Sequence, residues 1–316
     1  MAYPDLAGAV NWSTCNGGNP PAAGDTLYLN TGCALTLDGA NNSTYTCVAI
    51  KCATSAAPTT YNQSATVVLG NALSTIAANL YAGTTWMLTV GTGKTLTMGP
   101  GTTVYGGSGS VCAILVTSGA LAACPNAIGG SGASAYGVIV NGAAGSVVIT
   151  NATGGTGGNA AGLNITAGTA SVVTATGSAT NAASGIYQTG GTVTITNAIG
   201  GGVASAHGNW MYGGTCTITT AKGGSVAGAS AVAIYSGTLT INGTDMTGVG
   251  QIIGGGTIKL SAGCKLAYQD AAGAAKTFYG ADLMPAAGDV RTGTTYGGTD
   301  FTGSLASSMR AFPAAF

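Results

Sequence analysis

The sequence contains no glutamate. Its 316 residues carry eight acids, all aspartate, against six lysines and two arginines, so charged residues make up 5% and the formal net charge is zero. Surface helices keep one charged or polar face towards water, and this chain has too few such residues to build them. The same shortage excludes nucleic-acid binding, which needs clustered Lys and Arg to neutralise phosphates. No apolar run approaches the roughly 20 residues of a membrane-spanning helix. The mean hydropathy of +0.39 comes from Ala and Val set against few charges, so no membrane insertion is expected. The start, "MAYPDLAGAVNW", lacks a basic segment followed by an apolar one, and no classical secretion signal is expected.

Catalytic groups are equally scarce. Glycoside hydrolysis uses two carboxyl groups about 5–10 Å apart, yet no acid lies between Asp38 and Asp245. Asp245, Asp270 and Asp282 stand as lone acids in turns, where they are expected to cap corners. The single histidine, His207 in "SAHGNW", has no nearby Asp or Cys to complete a relay. It is expected to be a corner residue satisfied by backbone carbonyls. No G-x-S-x-G elbow occurs, and "GTGKTLTMG" lacks the first glycine of a phosphate loop and runs into a β pattern. The eight cysteines contain no C-x-x-C pair, so they are expected to be buried small residues with one or two disulfides near the N-terminus. The expectation is a protein that is not an enzyme, with no cofactor and no metal.

What the chain has instead is glycine, 56 residues of it, among alternating Thr, Ser, Val and Ile. Gly145, Gly168, Gly191, Gly214 and Gly237 are each 23 residues apart, and a second column, Gly154, Gly177, Gly200 and Gly223, keeps the same step. Between the columns the sequence alternates with period two, as in "GGTVTITNAIGG" from Gly190, so successive side chains face opposite ways. Val193 and Ile195, with their counterparts in each repeat, make an apolar face that must be inside. A second short strand precedes each of these, for example "GIYQ" from Gly185. The fold class expected is all-β: a single-stranded parallel β-helix, or β-solenoid, with about 23 residues per coil. Residues 58–268 would form the helix, eight to nine coils and about 40 Å long. Residues 1–57 would be an N-terminal β cap or an attachment segment, and 269–316 an irregular C-terminal extension used for capping or assembly.

The outer face of the long strand carries Thr192, Thr194 and Thr196 beside Thr215, Thr217 and Thr219, a ladder similar to the T-x-T rows of ice-binding proteins. Tyr187, Tyr212 and Tyr235 occupy similar places on the shorter strands and could line a glycan strip or a subunit seam. The C-terminal "GDVRTGTTYGGTDFTGSL" from Gly288 resembles an element at the ends of bacteriophage tail-fibre and other virion-surface proteins. The N-terminal "NWSTCNGG" through "LTLDG" similarly looks like the start of solenoids in phage and bacterial surface proteins. The resemblance implies a non-enzymatic structural protein of the virion surface: a fibre, spike or capsid-decoration protein. Its partners would be other virion proteins and further copies of itself, with a trimer favoured, and a host surface glycan is a further candidate. Two alternatives stay open, a bacterial cell-surface adhesin or self-assembled extracellular filament, and an ice-binding protein.

Overall fold

A computed structural model describes residues 5–226 and 228–242, together with the strands at 252–253, 257–260, 265–269 and 275–279. The chain is a β-solenoid of about 23 residues per turn. Two sheets run the length of the rod, one of 11 short strands and one of 12 longer strands, and each strand pairs in parallel with its counterpart one coil away. Twelve strands at about 4.8 Å per step give a rod about 50 Å long.

The coil of residues 186–208 shows how the repeat builds this shape. The short strand Ile186–Gln188 enters a glycine corner and the chain turns into the long strand Thr192–Ile199. Thr192 and Thr194 are exposed while Val193 and Ile195 are buried. The alternation then breaks: Thr196 and Asn197 both face outward before Ala198 turns in. The long strand is therefore bent into two legs, and Asn or Thr sits at the bend in successive coils. There Asn151 donates from Nδ2 to Asn126 Oδ1 at 3.0 Å, and Asn126 donates to the Thr102 carbonyl at 3.2 Å. Beyond the bend, Ala127, Ala152, Ala175, Ala198 and Ala221 stack in one buried column.

The two glycine columns recur along the rod under different sets of physical constraints. Gly168, Gly191, Gly214 and Gly237 have φ of +78°, +67°, +81° and +96°, a region that side chains with a Cβ rarely enter. Gly200 has ordinary φ, but a Cβ there would lie 2.4 Å from Gly224 N and 2.5 Å from Ala229 O. Its own N–H donates to the Lys222 carbonyl at 2.8 Å, so the next coil's backbone passes directly against it. The first column is held by torsion and space together, since a Cβ on Gly214 would also lie 2.4 Å from Gly191 O, whereas Gly200 answers to space alone.

Both ends differ from the boundaries expected at residues 58 and 268. The strands Ala9–Asn11, Thr26–Tyr28, Ala34–Leu37 and Ser43–Lys51 continue the same two sheets, with Ala9 in register with Ala34 and Ala34 with Thr66. Residues 9–51 thus carry strands of the same two sheets as the rest of the rod. Their period is hidden by a bulge between Thr46 and Ala49 and by the excursion at 52–65. At the other end the last parallel strand is Thr257–Leu260. Lys265–Gln269 instead pairs antiparallel with Ala275–Tyr279, so a hairpin occupies the point where the solenoid was expected to end. The phage-like segment at 288–305 and Asp245, Asp270 and Asp282 lie outside the described residues.

The shaft between the sheets is apolar, with Ile165, Ile186, Val193, Ile195, Ile218 and Ile234 all essentially inaccessible. Full burial of such side chains is worth about 1.5–3 kcal/mol each. That is too little for one coil to offset the ordering of its backbone at about 1–2 kcal/mol per residue, so each coil depends on its neighbours. One polar intrusion breaks the shaft. Gln188 and Asn209 are completely buried, where the neighbouring coils place Ile165 and Met211, and Ile186 and Val232. Asn209 Nδ2 donates to Gln188 Oε1 at 3.2 Å and lies 3.3 Å from Cys216 Sγ. Gln188 Nε2 donates to the Thr215 carbonyl at 3.0 Å. Asn209 Oδ1 has no partner among the described residues.

Removing half of this pair strands a buried amide, whereas replacing both members does not. Asn209→Val alone is expected to destabilise the protein by about 1–3 kcal/mol. Combining it with Gln188→Met should recover most of that loss, as read from denaturant midpoints of the two variants.

Candidate functional site

Four of the six threonines of the expected ladder stand in register. Thr192 pairs with Thr215 and Thr194 with Thr217 across neighbouring long strands, and Thr192, Thr194, Thr196, Thr215 and Thr219 are exposed, with Thr217 half-buried. The columns extend through Thr169 and Ser171 on one side and Thr238 and Thr240 on the other. The hydroxyls of Thr192 and Thr215 lie 3.2 Å apart, so part of their hydrogen-bonding capacity is spent along the ladder. Val148 and Val173 interrupt the face and are themselves about half exposed.

The three tyrosines do not share one column, because Tyr187 lies 25 residues before Tyr212 while the register between their coils is 23. Tyr187 is in register with Trp210. Tyr212 follows the strand Asn209–Met211, Tyr235 follows Val232–Ile234, and their rings stack with centroids 4.7 Å apart and planes within 7°. Trp210 joins the two columns: it lies 5.7 Å from Tyr187, 5.6 Å from Tyr212 and 6.5 Å from Tyr235. Tyr187 and Tyr212 are 5.6 Å apart. The structure therefore brings the three residues together, around an indole that the tyrosine pattern alone did not reveal. Tyr212 and Tyr235 are 39% and 50% exposed.

His207 underlies this cluster, its ring edge-on to Trp210 at 5.6 Å. Its partner is not the expected carbonyl. The Ser230 N–H donates to His207 Nδ1 at 3.2 Å, which leaves the proton on Nε2 and needs a neutral imidazole. Burial pushes its pKa down to about 4, so it cannot serve as a base that charges near neutrality.

A second aromatic array was not anticipated. Tyr28, Lys51, Tyr81 and Tyr105 form one column at the ends of successive long strands. The Tyr81 and Tyr105 rings stack at 4.4 Å, and Tyr61 stacks on Tyr81 at 4.9 Å. Lys51 Nζ lies 5.2 Å from the Tyr81 ring centre and 6.0 Å from those of Tyr28 and Tyr61, a cation held against π faces. Its sequence signal is the tyrosine closing "NLY" and "TVY", obscured by the intervening excursion.

The acids near the N-terminus cap turns. Asp38 accepts from the Ser13 backbone N–H at 2.9 Å and from its hydroxyl at 2.5 Å, which holds its carboxyl below the usual range. Asp25 Oδ2 accepts the Ala22 N–H at 2.6 Å. Among the described residues no three His, Cys, Asp or Glu side chains converge as a metal site. The disulfides expected near the N-terminus are not formed: Cys15, Cys33, Cys47 and Cys52 are all free and buried, as are Cys112, Cys124 and Cys216. Desolvation pushes their thiols up to about 11 for Cys15 and Cys33 and about 12 for the other five.

Two titrations check this picture. The lone imidazole should titrate near 4 by proton NMR, against an ordinary value near 6.5. Between those values the unfolded chain binds more protons than the folded one, so this histidine's contribution to stability is complete above about 6.5 and declines as the pH drops towards 4. The seven described thiols should resist a thiol-specific reagent at pH 8 in the native protein and react on unfolding, since the thiolate is the reactive form.

Comparison with known protein families, curated proteins and solved structures finds no match to this chain.

Proposed function

We propose that the chain is a non-enzymatic structural component of a virion surface, a fibre, spike or decoration protein that acts as a rigid β-solenoid. The observation that carries this reading is the unbroken pairing of strands from Ala9 to Leu260 in two parallel sheets, on a chain with no acid between Asp38 and Asp245. Such a rod resists bending and local opening because every coil is held on both sides, and its walls offer few groups for chemistry. The resemblance at 288–305 to the ends of phage surface proteins supports placement on the particle. Uncharged walls with exposed Tyr212, Tyr235, Val148 and Val173 favour association with further copies, a trimer by that resemblance, and with other virion proteins. An adhesin or self-assembled filament uses the same mechanics on a cell surface.

A specific observation favours one other reading. Thr192 and Thr194 in register with Thr215 and Thr217 present hydroxyl and methyl groups as a regular repeat, an arrangement similar to that of an ice-binding surface. Freezing-point hysteresis in the purified protein would support it, and its absence removes it.

Gold-labelled antibody against the chain should decorate a discrete position on purified particles in electron micrographs. Label confined to the cell envelope or to free filaments would overturn the virion placement.

A further inference from the structure

The first coil lacks a strand that the next coil has. In the second coil the chain runs from the short strand Ala34–Leu37 into the long strand Ser43–Lys51. The first leg of that long strand, from Ser43 to Thr46, pairs with the third coil from Ser74 to Ala77. The first coil has the short strand Ala9–Asn11 and, at Thr26–Tyr28, only the counterpart of the second leg, in register with Ala49 to Lys51. Among the described residues no strand pairs with the other side of the leg from Ser43 to Thr46. Residues 12–25 take a different course there. A 3-10 turn at Trp12–Thr14 is followed by a turn that Asn16 and Asn19 close with backbone bonds of 2.8 and 3.0 Å, and then by Pro20 and Pro21. Proline has no N–H to give to a ladder. The stretch is held firmly. Trp12 is buried in the shaft, edge-on to Tyr45 with ring centres 5.4 Å apart. Asp38 grips Ser13 with both carboxylate oxygens, Oδ1 accepting from the N–H at 2.9 Å and Oδ2 from the hydroxyl at 2.5 Å. Asp25 Oδ2 accepts the Ala22 N–H at 2.6 Å. Two of the three aspartates among the described residues thus serve this one segment.

We propose that residues 12–25 are a stopper: they fill the place of a first leg at the end of the rod and so keep a second copy of the chain from stacking end to end. The fold itself names the partner that is excluded. An unpaired strand edge is a template for another strand, and a parallel stack accepts any coil of the same outline. The far end of the rod offers such a coil, since Ile252–Ile253 and Thr257–Leu260 are the last strands of the same two parallel sheets. Joining that end to the first coil is a head-to-tail contact, which repeats without closing. Charge does little to prevent it. The strands at 9–11, 26–28, 43–46 and 252–253 carry none, and Thr257–Leu260 carries only Lys259. The block is therefore steric, made by a buried indole and by two residues that cannot donate to a ladder, with the Asp38 carboxylate as its clasp.

The stopper rests on the rod alone and not on its placement on a particle, so either reading can fail without the other. The test is rod length, measured in electron micrographs of the purified chain across a dilution series. Association side by side widens a particle without lengthening it. The native chain should stay one rod long, about 50 Å, at every concentration. Trp12→Ala combined with Asp38→Ala should free the segment and give particles that lengthen in whole-rod steps as concentration rises. Asp38→Asn cuts the clasp and leaves the shaft packed, and it should do the same at higher concentration, with the circular dichroism of the native chain. In that variant the Trp12 indole N–H should also exchange with solvent faster than in the native chain. Native rods already joined end to end, folded variants that never lengthen, or an unchanged Trp12 exchange rate in Asp38→Asn would each overturn the proposal.

Discussion

Everything in this protein depends on the main-chain ladder between coils. Each link, such as Thr215 N–H to Gly191 O at 2.9 Å or Gly200 N–H to Lys222 O at 2.8 Å, adds only about 1 kcal/mol net. Its geometric effect is larger than its energy. By fixing one residue above its counterpart in the next coil, it turns a linear sequence into columns, and each column then meets one environment along the rod. The buried alanines, the left-handed glycines and the crowded glycines are three such columns, each chosen by the space or torsion at its position.

The same rule accounts for the poverty of charge. A charged side chain in a column stands about 4.8 Å from its neighbour's position, so repeated like charges would repel at every step. Uncharged Thr and Ser avoid this and suit an extended backbone. Lys51 shows how one lysine is accommodated: its ammonium group rests among the rings of Tyr28, Tyr61 and Tyr81, with the Pro58 carbonyl accepting from it at 3.3 Å.

How much could be read from the sequence depended on spacing. From Gly145 to Gly237 the step is constant, and there the strands, the inward Val193 and Ile195 and the outward threonines were legible from the letters alone. Before residue 58 the bulge at 46–49 and the excursion at 52–65 break the step, so the first coils looked like another kind of structure. Tyr187 and Tyr212 fall in different columns for another reason: they stand 25 residues apart on a step that is a constant 23 there. Trp210 carries no repeat signal, because its column partner is a tyrosine and no identical residue recurs. The polarity of His207 is a matter of backbone direction: the corner presents it the N–H of Ser230 rather than a carbonyl, and composition carries no trace of that.

The buried Gln188 and Asn209 have a consequence for how so repetitive a chain finds its arrangement. Near-identical turns could in principle dock one turn out of step, with most apolar contacts preserved. A slip of that kind would bring Val232 to the place of Asn209, opposite Ile186, and strip Gln188 Oε1 of the donor that Asn209 supplies in the dry shaft, at about 1–3 kcal/mol. The polar pair therefore acts as an index mark: it distinguishes one turn from its copies in a stack whose apolar contacts do not.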